Sequence, residues 1–173
     1  MGERPTALED GTEEELMRWI TSANVACGGH AGNKETMEQT IRLAVKHGVG
    51  VGAHPGFPDP ANFGRLEMSL SPDEIRSTVY EQVRALALVA KKVKADLVHV
   101  KPHGALYTVA AKSASVASAI SDGVALWSRD LILVGLAHSM MLVVWTNQGF
   151  RVAGEAFADR AYEPDGSLRS RKF

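Results

Sequence analysis

Three histidines, a lysine and two carboxylates stand at or just past the ends of short apolar runs, where a folded chain usually presents groups to a ligand. His30 follows Cys27-Gly28-Gly29, His54 is held between Ala53 and Pro55, and His99-Val100-Lys101-Pro102-His103 closes a third run. Imidazole titrates near neutrality, so these rings suit proton transfer, hydrogen bonding to a substrate or metal ligation. Lys101 ends a buried run, and lysine is rarely buried without a partner. A partly desolvated amine loses basicity and serves as acid, base or electrostatic clamp. Side chains alternate along an extended chain, so His99, Lys101 and His103 share a side if extension persists past Pro102. Glu155 lies inside the apolar run 151–157 and Asp159-Arg160 follow it, either as pocket groups or as a structural ion pair. Arg65 is a candidate clamp for carboxylate or phosphate, with Asn33, Tyr107 and Arg160 as further candidate binding residues. Each motif has a plainer reading too: a glycine-rich turn, a stiff proline loop, a lysine reaching out from a sheet end.

These groups need a scaffold that brings distant loops together. Thr12-x-x-Glu15 reads as a capping box opening a first helix. Asn33 reads as the cap of a second, with Met37, Ile41, Ala44 and Val45 at helical spacing and Gly48 at its stop. Ser71-Pro72-Asp73-Glu74 is the strongest helix start, ahead of a stripe of Ile75, Val79, Val83, Leu86 and Val93. Further helices are expected around Val116–Trp127 and from Met141 through Trp145 to Gly149. Between them lie apolar runs at 23–27, 49–53, 97–100, 131–136 and 151–157. Short apolar strands alternating with amphipathic helices predict a parallel sheet covered by helices. Barrel and doubly wound sheet both satisfy the spacing. In α/β barrels the chemistry sits where His30, His54, Lys101, His103 and Asp159 fall, beyond the C-terminal ends of strands.

The 173 residues are 45% hydrophobic and 23% charged with a net charge of −1, an ordinary folded-domain composition. That balance supplies no field for nucleic acid or anionic lipid. The single Cys27 excludes an intrachain disulfide framework and any cysteine-based zinc site. Paired with a histidine, Cys27 would be a nucleophile, although a lone cysteine at a strand end is more often simply buried. No apolar run nears the roughly 20 residues of a membrane span, and the polar N-terminus does not read as a signal peptide. A cytoplasmic location is expected. The chain contains no GxxxxGK(S/T), GxSxG or HExxH motif, and no GxGxxG after a strand.

Taken in order, TSANVACGGHAGN (21–33), HGVGVGAHPGFPD (47–59), FGRLEMSLSPDEI (63–75), HVKPHGALY (99–107), LILVGLA (131–137) and GEAFADRAYEPDGSL (154–168) resemble the LamB/YcsF family across nearly the whole chain. The resemblance implies an irregular seven-stranded β/α barrel like those of glycoside hydrolases and carbohydrate deacetylases. It implies cleavage of the lactam of 5-oxo-L-proline to L-glutamate, with ATP as co-substrate and with 5-oxoprolinase subunits B and C as partners. Family members begin with a strand ending in a DxGE-like motif, of which Met1-Gly2-Glu3 resembles only the tail. They continue past the Asp165-Gly166 region to a strand ending in His-Gly-Asp. Residues 1–173 are therefore expected to form a single partial barrel domain of about five strands, truncated at both ends. Asn33 stands where an aspartate is common.

The resemblance makes His30, His54, Lys101, His103, Glu155 and Asp159 the expected catalytic groups. Lys101 and Arg65 suit phosphate charge, the histidines suit proton transfer, and Glu155 or Asp159 suits orienting a histidine or binding an ammonium. Two alternatives stay open: metal-assisted amide hydrolysis through His30 and His54, and an inactive barrel fragment acting as an interaction module. Open sheet edges invite pairing, so a homo-oligomer is expected.

Overall fold

The computed structural model describes residues 1–169. Its helices are α1 (Pro5–Glu9), α2 (Thr12–Met17), α3 (Lys34–Lys46), α4 (Pro72–Lys92), α5 (Gly104–Ala110), α6 (Ala114–Ala125) and α7 (Met140–Asn147). The five apolar runs become β1 (Ser22–Ala26), β2 (Gly50–His54), β3 (Leu97–Val100), β4 (Ile132–Leu136) and β5 (Val152–Glu155). They form one sheet in the order β1-β2-β3-β4-β5, and each pairing is parallel. A doubly wound sheet reverses its strand order; this one does not. Crossovers of the usual right-handed sense then lay the strand-connecting helices on the same face. The sheet is wound as a β/α barrel is wound, and it is not closed.

Helix starts follow local hydrogen-bonding chemistry. The Asn33 side chain accepts from the backbone N–H groups of Glu35 and Thr36, and Ser71 and Glu74 form a reciprocal capping box. The box expected at Thr12 does not form. Asp10 Oδ1 takes the Thr12 N–H at 2.9 Å, and Gly11 in the left-handed region becomes the cap. The short helices α1 and α5 were not legible as periodic stripes, since five and seven residues are too few to show one. On the helix-covered face Ile41, Val79, Val83, Leu86, Ile120, Val124, Leu133, Met141 and Trp145 are fully buried. The Trp145 indole N–H donates to Ala117 O at 2.8 Å, so this large ring leaves no polar group unsatisfied. No helix among the described residues is long and apolar enough to cross a membrane.

The β2–β3 register shifts between Val51, opposite Leu97, and Gly52, opposite His99, so Val98 is an extra residue in β3. Bulges re-aim side chains. Here the His99 ring crosses over Gly52 and its Nε2 meets Asn24 Oδ1 at 2.8 Å. A Cβ on Gly52 would lie 2.1 Å from His99 Nε2. Gly52→Ala is expected to cost about 1–3 kcal/mol by overpacking, read as a lower denaturant midpoint. An unchanged midpoint would contradict this placement of His99.

Candidate active site

Backbone pairing carries the β2–β3 ladder past both strand ends. Lys101 N–H donates to Ala53 O at 2.9 Å and His103 N–H to Pro55 O at 2.8 Å. The chain therefore stays extended through Pro102 and sets His54 beside Lys101 and His103. Two devices close the loop 55–65 onto this edge. Gln82 of α4 spans the Gly56 peptide, accepting its N–H at 3.0 Å and donating to its carbonyl at 2.8 Å. Ala105 N–H donates to Gly64 O at 3.0 Å. Gly104, at φ 54°, makes that approach possible, since a Cβ there would lie 2.5 Å from Gly64 O.

The three imidazoles meet under this loop. His30 stacks on His103 with centroids 3.6 Å apart and planes inclined by 8°, and His54 stands edge-on to both. His54 Nδ1 is 2.6 Å from Lys101 O, His103 Nε2 is 2.9 Å from Phe63 O, and the remaining nitrogens of the two rings face one another at 3.1 Å. Glu3 joins them from the N-terminal segment, its Oε1 3.2 Å from His30 Nε2 and 3.9 Å from His103 Nδ1. Met1 places it by lying along β1, with its nitrogen donating to Asn24 O and its carbonyl accepting from Ala26 N–H. Buried Glu13 then ties Gly2 N–H at 2.6 Å to the Thr40 hydroxyl at 3.2 Å.

Burial governs the protonation of this cluster. Burial first, and the nearby charge of His103, hold His54 well below the usual 6.5, against a hydrogen bond to the Lys101 carbonyl that opposes the shift. Burial, with His30 beside it, lowers His103 to about 4. Burial alone would raise Glu3, but the His30 hydrogen bond and neighbouring positive charge bring it down to about 2. All three shifts act in one direction. The unfolded histidines take protons near 6.5 and the folded ones resist, so their stabilisation is present above about 6.5 and is lost as the pH falls toward 4. Glu3 adds a loss between 4.5 and about 2. A urea midpoint measured with chelator present is expected to fall between about pH 7 and pH 4.5; a flat profile would contradict the burial of these rings.

A second group adjoins the first. Lys101 Nζ pairs with Glu155 Oε2 at 2.6 Å and sits 4.7 Å from the centre of the Phe157 ring. Among the described residues, Glu155 Oε1 and the Tyr107 hydroxyl are buried with no hydrogen-bond partner. Burial and the neighbouring Glu155 charge raise the Tyr107 phenol, keeping it a neutral donor. His54, Arg65, Lys101, His103, Tyr107, Phe157 and Arg160 line a cleft of about 340 Å³. An adjoining hollow of about 370 Å³ shares Tyr107, Thr108 and Leu168 with it but holds no histidine.

The structure thus brings His54, Arg65, Lys101, His103, Tyr107 and Arg160 to one cleft, with Glu155 beneath Lys101 and His30 behind His103. Asn33 is occupied as the cap of α3, and Asp159 is exposed in the segment after β5; neither lines the cleft. Cys27 is fully buried and its thiol is pushed up to about 12 by that burial, so the nucleophile alternative fails. Among the described residues, Glu3, His54 and His103 could hold a metal ion, their donor atoms all lying within 4.8 Å of one another. His30, expected beside His54 as a ligand, lies outside that group, its Nε2 3.2 Å from Glu3 Oε1. Residue-level reading missed Glu3, Asn24, Phe63 and Gln82. Only Glu3 had a signal, as the end of the partial DxGE-like motif.

The LamB/YcsF family model matches residues 1–173. A protein from Chloroflexus aurantiacus, named as the A subunit of 5-oxoprolinase, is 49% identical over 170 residues, 98% of this chain and 67% of that protein. One of the same name from Methylococcus capsulatus is 51% identical over 161 residues, 93% of this chain and 62% of that protein. Another, from Pyrococcus horikoshii, is 48% identical over 168 residues, 97% of this chain and 66% of that protein. The crystal structure of a lactam utilization protein from Thermus thermophilus superposes with a TM-score of 0.92 at 43% identity, covering 99% of this chain and 69% of that one. The chain spans about two thirds of the length of the curated relatives it matches.

Proposed function

The chain belongs to the LamB/YcsF family, and from that membership we propose that it is the A subunit of an ATP-dependent 5-oxoprolinase, opening the lactam of 5-oxo-L-proline to L-glutamate. The observation that carries this reading is the meeting of Lys101 and Arg65 with the His54–His103 pair in one cleft, in a chain whose relatives bear that name.

A γ-lactam carbonyl is a poor electrophile. Transfer of the γ-phosphoryl group of ATP to the carbonyl oxygen forms an O–P bond, breaks the bond to ADP and makes the ring carbon electrophilic. Water then adds to that carbon and gives up a proton. The C–N bond breaks as nitrogen takes a proton, leaving an acyl phosphate that a second water hydrolyses. Cations must meet the phosphoryl charge, and the amine of Lys101 and guanidinium of Arg65 supply them. An imidazole with a free lone pair takes the proton from water, and His54 or His103 fills that role because burial keeps both rings neutral. Arg160 is available to the substrate carboxylate, and Tyr107 and Phe157 wall the ring. Glu155 fixes the Lys101 amine.

Subunits B and C complete the enzyme in this reading, the chain self-associates through its open sheet edges, and the assembly works in the cytoplasm. Reconstitution with the partner subunits tests it. Glutamate formed from 5-oxoproline only when ATP and this chain are both present is the expected result. Turnover that is indifferent to adding the chain would overturn it.

A further inference from the structure

The geometry points to a divalent transition-metal site formed by His54 Nε2, His103 Nδ1 and the Glu3 carboxylate. His54 Nδ1 lies 2.6 Å from the Lys101 carbonyl and His103 Nε2 2.9 Å from the Phe63 carbonyl. A carbonyl oxygen only accepts, so each of those nitrogens carries a hydrogen. Each neutral ring then keeps one lone pair, and the two lone-pair nitrogens face one another at 3.1 Å. Two acceptors at that separation repel unless an electron-poor partner, a proton or a metal ion, lies between or beside them.

Several features select the metal. A proton shared by two nitrogens needs no third donor, whereas the Glu3 carboxylate completes a group whose donor atoms all lie within 4.8 Å of one another. With metal–nitrogen bonds of about 2.0–2.1 Å, nitrogens 3.1 Å apart subtend roughly 95–100° at the ion, an ordinary coordination angle. Metal-bound histidines commonly donate their far N–H to a carbonyl, which fixes the tautomer and the ring plane; both rings here do so. Two imidazoles and a carboxylate suit Zn²⁺ and its transition-metal neighbours rather than Mg²⁺ or Ca²⁺. His30 is a positioning residue for this site. Its Nε2 meets Glu3 at 3.2 Å and its ring lies flat on His103, so it holds both a carboxylate and an imidazole donor in place. With both lone pairs given to an ion, neither ring is itself the proton acceptor, and a coordinated water of lowered pKa would take that part instead.

The inference stands apart from the lactam reading, and its test needs no turnover. The chelator-treated chain is titrated with Zn²⁺ alone by calorimetry and with Co²⁺ for its ligand-field absorption. The native chain is expected to take up one saturable equivalent, with Co²⁺ bands of nitrogen ligation and a higher unfolding temperature. His54→Ala and His103→Ala are expected to lose that equivalent, and His30→Gln to weaken it about 10–100-fold. His138→Ala, at an exposed position outside the cluster, is expected to leave it unchanged. Absence of saturable binding to the native chain would overturn the site whatever the variants do. So would binding that survives in both alanine variants, or imidazole ¹⁵N spectra showing a proton shared by His54 and His103 that Zn²⁺ does not displace.

Discussion

Lys101→Met is expected to lower ATP-dependent cleavage of 5-oxoproline by about 10²–10³-fold, the usual loss when one preorganised charge-stabilising group is removed. The Lys101 amine lies in the cleft, 4.7 Å from the centre of the Phe157 ring and 5.8 Å from that of Tyr107. Methionine keeps most of the stem and its packing and deletes the charge. It also leaves Glu155 Oε2 without its 2.6 Å partner, and Glu155 Oε1 has no hydrogen bond among the described residues. An unsatisfied buried acceptor costs about 1–3 kcal/mol, so the single variant is expected to unfold earlier as well. The double variant Lys101→Met/Glu155→Gln separates the two effects. Removing both charges is expected to restore most of the stability and none of the activity. Recovery of turnover in the double variant would reduce Lys101 to a structural partner of Glu155.

His54→Ala is expected to cost about 10²–10⁴ in kcat, the range for a positioned proton-transfer group. KM is expected to move little, because Arg65, Arg160 and Tyr107 still line the cleft. The ring joins the Lys101 carbonyl on one side to His103 on the other, so its loss removes a lone pair from the cluster and the guide that orients its neighbour. Steady-state kinetics of the reconstituted enzyme checks this, with His138→Ala as the control expected to behave as the parent. A His54→Ala enzyme with normal kcat would take the histidine cluster out of the chemistry.

The ladder of strands and the capped helices were legible because they depend on neighbours in sequence. Asn33 needs only Glu35 and Thr36, and Ser71 only Glu74, to form their caps. The apolar runs 97–100 and 131–136 became strands within one residue of their expected ends. Strand order was not legible from spacing, since pairing is a long-range choice. The grouping of His30, His54 and His103 followed from their positions after three strands, but the way they face each other did not. It depends on Gln82 holding Gly56 and on Gly104 admitting the Gly64 carbonyl. The His99–Asn24 contact joins residues 75 apart and needs a bulge that no local pattern announces. Glu3 reaches His30 only because Met1 pairs along β1 and Glu13 anchors Gly2. Asn33 was attractive as a ligand for the same hydrogen-bonding capacity that commits it to the α3 cap.

A crystal structure of the chain with 5-oxo-L-proline decides whether the lactam binds in the cleft between the histidine cluster and the Lys101–Glu155 pair. The expected result is the ring seated against Tyr107 and Phe157, its carbonyl oxygen toward Lys101 and His54, and its carboxylate on Arg160. The ligand bound away from these residues, with the cleft holding only water at saturating concentration, would contradict it.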